Sequence, residues 1–168
     1  MTPFHFEHDF RAASVEHVFR AYFDPQLSAE HDRLSGIVKR EELEHTDDGA
    51  TMQRVCRVWP ERQLPVFVRP FVSGPLHYTE RMTFDRPRQR IDLDIRPSVL
   101  GKRTQIRITY ALSQPKAGIV RRVYEGDVTV EIAVVGGRAE RMIADDIGKV
   151  LSTVEPCTQE WLDAHPLV

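Results

Sequence analysis

Strict alternation opens the chain. Phe4, Phe6, His8 and Phe10 fall on one face and His5, Glu7 and Asp9 on the other, the period-two signature of a half-buried strand over residues 4–10. From Ser14 the period changes: Val15, Val18, Phe19, Tyr22 and Phe23 recur at helical spacing behind a serine suited to capping. Asp24-Pro25 closes this helix and opens a second short one to about Asp32, with Asp24 as cap and Pro25 in the first helical position. Strand patterns then follow one another over 36–44, 50–59, 76–84, 89–96, 104–112 and 119–132. Asp47-Asp48-Gly49, Asp85-Arg86-Pro87-Arg88 and the stretch from Pro97 to Arg103 supply turns between them. In the last strand the apolar positions shift phase between Val123 and Val128, which predicts a bulge or bend at Gly126. Gly136-Gly137 breaks the run. Beyond it Ala139, Met142, Ile143, Ile147, Val150, Leu151, Val154, Cys157 and Trp161 form a stripe that predicts a long helix to about Asp163, kinked near Pro156.

Residues 60–75 fit neither period. Prolines at 60, 65, 70 and 75 exclude regular central sheet, yet Leu64, Val66, Phe67, Phe71 and Val72 are apolar. A packed loop with a short helix near Val66 to Phe71 is expected, and Phe67 and Phe71 are its candidates for a cavity mouth.

The element order decides the architecture. One strand, two short helices, six turn-linked strands and a long terminal helix give an α+β fold in one domain over residues 1–168, with an antiparallel sheet of seven strands. The terminal helix, about 25 residues and about 38 Å long, is the one element able to cover the apolar face of that sheet. A curved sheet wrapped around one helix leaves a pocket unless large side chains fill it.

This layout resembles the START-like (SRPBCC, helix-grip) superfamily, and locally a bacterial START-like domain family of unknown function. The similarity is carried by Phe6-Glu7-His8-Asp9-Phe10-Arg11-Ala12 with Ser14-Val15-Glu16-His17-Val18-Phe19, and by Gln63-Leu64-Pro65-Val66-Phe67 in the middle of the chain. Val134-Val135-Gly136-Gly137-Arg138-Ala139-Glu140 and the closing Glu160-Trp161-Leu162 complete it. The superfamily resemblance implies binding of a hydrophobic or amphipathic small molecule between helix and sheet. The closer family implies no ligand or enzymatic role.

Composition narrows the partners. Twenty-three basic against 25 acidic residues leave a net charge of -2, so no global field argues for nucleic acid, and no window is apolar enough to predict an integral membrane span. Met1-Thr2-Pro3-Phe4 runs into charged residues without the apolar run of a signal peptide, and Cys56 and Cys157 are too few for a disulfide framework. Both point to a cytoplasmic protein with reduced thiols.

Candidate chemistry is sparse. His8 shares the inward face of the first strand, and Tyr78 and Glu80 share one with Met82 and Phe84. Tyr110 belongs to a clean inward row, whereas Arg122 and Tyr124 lie beside the expected bend. With Met142 of the helix, these residues are the candidates to line a cavity that is apolar with a few convergent polar groups. Arg54, Arg81, Arg107 and Arg121 are expected on outward faces, and Arg138, Glu140 and Arg141 on a solvated helix face. No HExxH, CxxC, GxSxG or phosphate loop occurs, so no residue is assigned as catalytic or metal-binding and no cofactor is expected. The expected function is binding or carriage of a hydrophobic or lipid-like molecule without catalysis. The alternatives are an interaction module with a vestigial cavity, or a cyclase or dehydratase built on His8 with Glu80 or Tyr78.

Overall fold

A computed structural model describes residues 1–61, 64–100, 102 and 104–167. Gln63 and Arg103, expected in the mid-chain loop and in the turn after Pro97, lie outside the described residues. The chain runs β1 (Thr2–Arg11), α1 (Val15–Tyr22), α2 (Pro25–Leu34), β2 (Ile37–Asp47), β3 (Thr51–Pro60), β4 (Tyr78–Asp85), β5 (Arg90–Pro97), β6 (Gln105–Lys116), β7 (Ile119–Thr129) and α3 (Gly136–Ala164). All seven strands form one antiparallel sheet in the order β1-β7-β6-β5-β4-β3-β2, the expected helix-grip arrangement.

Local chemistry sets the element ends as anticipated. The Ser14 hydroxyl accepts from His17 N and the Asp24 carboxylate from Leu27 N, each satisfying a free amide of a helix start. Among the described residues of the mid-chain loop a 3-10 turn, Arg69–Phe71, stands where a short helix was expected. Val68 is buried beneath this loop, while Val66 and Phe71 are 74% and 57% exposed. α3 runs through Pro156 for about two more turns. Its entry is tight, since a Cβ on Gly136 would stand 2.6 Å from the Val130 carbonyl oxygen.

Two expectations about the last strand and the last helix are corrected. Pairing of β7 with β1 and with β6 runs in unbroken register past Gly126, so the expected bulge is absent there. Val120, Arg122, Tyr124 and Val128 keep one phase, and Arg122 is simply a charged member of the inward row. Gly126 is needed for close approach instead: a Cβ there would lie 1.8 Å from the Arg107 carbonyl oxygen. Glu140, expected on a solvated face, is buried, and its carboxylate accepts from Val130 N at 3.0 Å and from the Thr2 hydroxyl at 2.9 Å.

α3 packs on β1 and β7 and on the two short helices. The middle strands therefore face it across a gap. On the outer face of the sheet, opposite charges pair as Arg121 with Asp9, Arg107 with Asp127, Arg90 with Asp92 and Arg96 with Asp94. Among the described residues no helix is long and apolar enough to cross a membrane.

Because the obstacle at Gly126 is backbone rather than a movable side chain, Gly126→Ala must part β6 from β7. The expected loss is about 3 kcal/mol or more, read as a lower urea midpoint of unfolding. A loss below about 1 kcal/mol would show that the strands separate freely at this point.

Candidate functional site

Between α3 and the middle of the sheet lies a cavity of about 480 Å³, a size typical of small-molecule sites. The sheet contributes Leu93, Ile95, Ile106 and Ile108, and α3 contributes Ile143, Ile147, Val150 and Leu151. These are the inward phases of β5 and β6 and the apolar stripe of the helix, so the period that builds each element also makes the wall oily.

Six of the expected lining residues are brought together here: Tyr78, Glu80, Tyr110, Arg122, Tyr124 and Met142. Met142 is the most open of them, at 38% exposure. His8 is not among the lining side chains. Its ring turns toward α3, with Nδ1 3.2 Å from Glu155 Oε2, so it pairs with that carboxylate rather than with Glu80 or Tyr78. Phe67 and Phe71 do not form the mouth either: Leu64 and Pro65 carry the loop's share of the lining. Phe67 packs under the Arg138 guanidinium, 4.3 Å from its ring centre, and Phe71 points to solvent.

Several lining residues were missed. Arg54 was expected outside, yet it stands opposite Met82 in the inward row of β3 and lines the cavity. Arg40, Asp32, His31 and Tyr22 join it. Arg40 makes a two-pronged bond to Asp32, at 2.9 and 3.0 Å, and a third to Glu80 at 2.8 Å. This answers the anomaly of an inward carboxylate at Glu80: it is paired. Alternation could not find Arg40: it and Ile37 both line the cavity although three residues apart, because the register of β2 shifts between Ile37 and Lys39.

The other polar groups fall into two sets. Arg122, only 4% exposed, reaches Glu155 on α3 through Nη2, while its Nε is buried without a partner. Among the described residues the Arg54 Nε is likewise buried and unpartnered, and its Nη2 meets only the sulfur of Met82, at 3.9 Å. The Tyr22 hydroxyl donates to the same sulfur, at 4.0 Å. Among the described residues the hydroxyls of Tyr110 and Tyr124 make no hydrogen bond. Burial holds all three phenols well above the usual tyrosine range, so they are donors rather than phenolates. Cys56 and Cys157 are free thiols, and no group of three metal-ligating side chains occurs among the described residues.

A seven-stranded antiparallel sheet, one long helix packed along its first and last strands and a cavity between them define the START-like helix-grip fold. Three solved structures show the same fold. They are TTHA0849 from Thermus thermophilus, the Zhui aromatase/cyclase from Streptomyces sp. R1128 and a START superfamily protein from Mycobacterium smegmatis. The first is 15% identical with a TM-score of 0.65, the alignment covering 96% of this chain and 97% of that one. The second is 14% identical with a TM-score of 0.65 (98% and 99% covered), and the third 12% identical with a TM-score of 0.63 (98% and 99% covered). At these identities the likeness is one of fold. Within the class, this chain belongs to the family described as protein of unknown function (DUF2505), whose family model matches residues 5–162. No curated protein matches the sequence.

Two imidazoles tie the site to pH. Burial holds His8 and His31 below their ordinary 6.5, and Arg122 pushes both the same way, against Glu155 at His8 and Asp32 at His31. His31 Nε2 lies 3.0 Å from Thr158 Oγ1, whose own hydrogen goes to the Val154 carbonyl, so the neutral ring donates. In the unfolded chain both rings take up a proton near pH 6.5, whereas the folded protein resists until a lower pH. The unfolded state thus binds more protons below that point, and stability falls as pH drops. The melting temperature should decline between about pH 7 and 5. His31→Gln, which keeps a donor toward Thr158, should flatten the decline, and an unchanged slope would show that His31 contributes nothing to it.

Proposed function

We propose that the protein binds an amphipathic, mostly hydrophobic small molecule in the cavity between α3 and the sheet, and carries it rather than transforms it. The observation that supports this reading is an apolar space of about 480 Å³ into which a few hydrogen-bonding groups converge. Burying a ligand body against Leu93, Ile95, Ile108 and Ile147 gains roughly 25 cal/mol for each Å² removed from water. Tyr110 and Tyr124 offer unused hydroxyls to fix its orientation. Carriage is favoured over catalysis because His8, the general base that a cyclase reading would call on, is engaged with Glu155 away from the lining.

The test is titration with the neutral fluorophore N-phenyl-1-naphthylamine. Saturable enhancement of its emission at one site per chain is expected. Ile147→Trp, which fills the space from the helix side, should abolish the enhancement while the protein still unfolds cooperatively. No saturable binding to the wild type, or equal binding to Ile147→Trp, would overturn the proposal.

A further inference from the structure

Resting on the reading of the cavity as a binding site, we propose that it selects molecules bearing an anionic oxygen group, a carboxylate or its equivalent, which Arg54 and Tyr22 receive beside Met82. Among the described residues three arginines line the cavity, and their states differ. Arg40 is saturated by Asp32 and Glu80, and Arg122 is tied to Glu155. Arg54 has no carboxylate partner among the described residues: its Nη2 meets a thioether and its Nε nothing. Arg54 is half-buried with its Nε shut off from water, and a thioether sulfur is a weak acceptor for its Nη2. Two strong donors, Arg54 Nη2 at 3.9 Å and the Tyr22 hydroxyl at 4.0 Å, converge on that one poor acceptor. Met82 is buried and is not part of the lining, whereas Arg54 and Tyr22 both are, so a ligand carboxylate in the cavity between these two would accept from both with the charge-assisted strength that sulfur lacks. Glu80 stands near Tyr22, and Arg40 offsets only part of its charge because it also holds Asp32, so Arg54 must supply the attraction for the anion. The ligand body would then extend along the apolar rows of β5 and β6 toward α3.

Arg54 also borders an outer groove of about 670 Å³ with Phe19, Phe23 and Arg86, so the two hollows must be told apart. The probes are 8-anilino-1-naphthalenesulfonate and N-phenyl-1-naphthylamine, which share an aromatic body and differ by the sulfonate. The wild type should bind the sulfonate at least about tenfold more tightly than the neutral amine. Arg54→Met should bring this ratio close to one, Arg54→Lys should keep part of it, and Tyr22→Phe should lower it a few-fold. Ile147→Trp should abolish binding of both probes. If neither probe binds the wild type, the cavity reading itself falls and this inference with it. If the amine binds saturably but the ratio is near one in the wild type, the cavity reading stands and the anion preference is overturned. A ratio unchanged in Arg54→Met, or sulfonate binding that survives Ile147→Trp, overturns it as well, the latter by placing the anion in the outer groove.

Discussion

Arg122 on β7 and Glu155 on α3 join helix to sheet from inside the fold, and the position of that bond governs where empty space remains. Sliding α3 toward the middle strands would strip a guanidinium that is 4% exposed of its partner. Removing one member of such a buried pair costs about 3–5 kcal/mol. A second tether stands at the other end of the helix, where buried Glu140 accepts from Val130 N and Thr2. Between them Gly148 lets the helix approach β1 so closely that a Cβ would lie 2.7 Å from the Phe6 ring. Held at both ends and pressed against β1, a rod of 29 residues cannot also cover β4 and β5. The cavity is the space that this off-centre docking leaves.

The same constraint sorts the polar groups. Asp32 on α2, Arg40 on β2 and Glu80 on β4 form an ion cluster that joins three elements along the wall away from β1 and β7. Arg40 holds both carboxylates but brings one positive charge against their two, so the cluster keeps a net negative charge and an anionic ligand must be held on the side of Arg54. Arg54, two residues before Cys56, which pairs with Glu80 across the strands, is one step too far along β3 to share in it. Its isolation is thus a matter of register. The guanidinium that the cluster leaves out is a local cationic donor facing the interior.

Much of the architecture is legible because alternation and helical period report burial directly. Phe4 and Phe10, Ile108 with Tyr110 and Leu112, and the α3 stripe all lie on the faces their spacing implies. What pattern misreads is charge pointing inward. Arg122 interrupts an apolar row and so imitates a change of phase at Gly126, although its partner Glu155 is 33 residues away and invisible to any local window. Arg54 was read as outward for the same reason, and Glu140 as solvated because it stands between two arginines. Phe67 fails differently: its orientation is set by Arg138 of α3 stacking over the ring, a tertiary contact that the proline spacing of the loop does not encode.

Affinity and discrimination are divided within the cavity. The isoleucine and leucine rows of β5, β6 and α3 reward any apolar body of the right bulk, but nearly indifferently, since one methylene more or less changes binding by about 1–3 kcal/mol. The hydroxyls of Tyr110 and Tyr124 and the guanidinium of Arg54 work through penalty. A ligand that dries them without offering an acceptor leaves each group unpaired, at about 1–3 kcal/mol apiece and more where the group is charged. Purely hydrocarbon occupants are therefore disfavoured by the same residues that orient a polar one. Selection of this kind needs no moving lid and no surface field. It requires only that no other side chain pairs with these polar groups, and the tethering of α3 away from β4 and β5 leaves them facing the cavity.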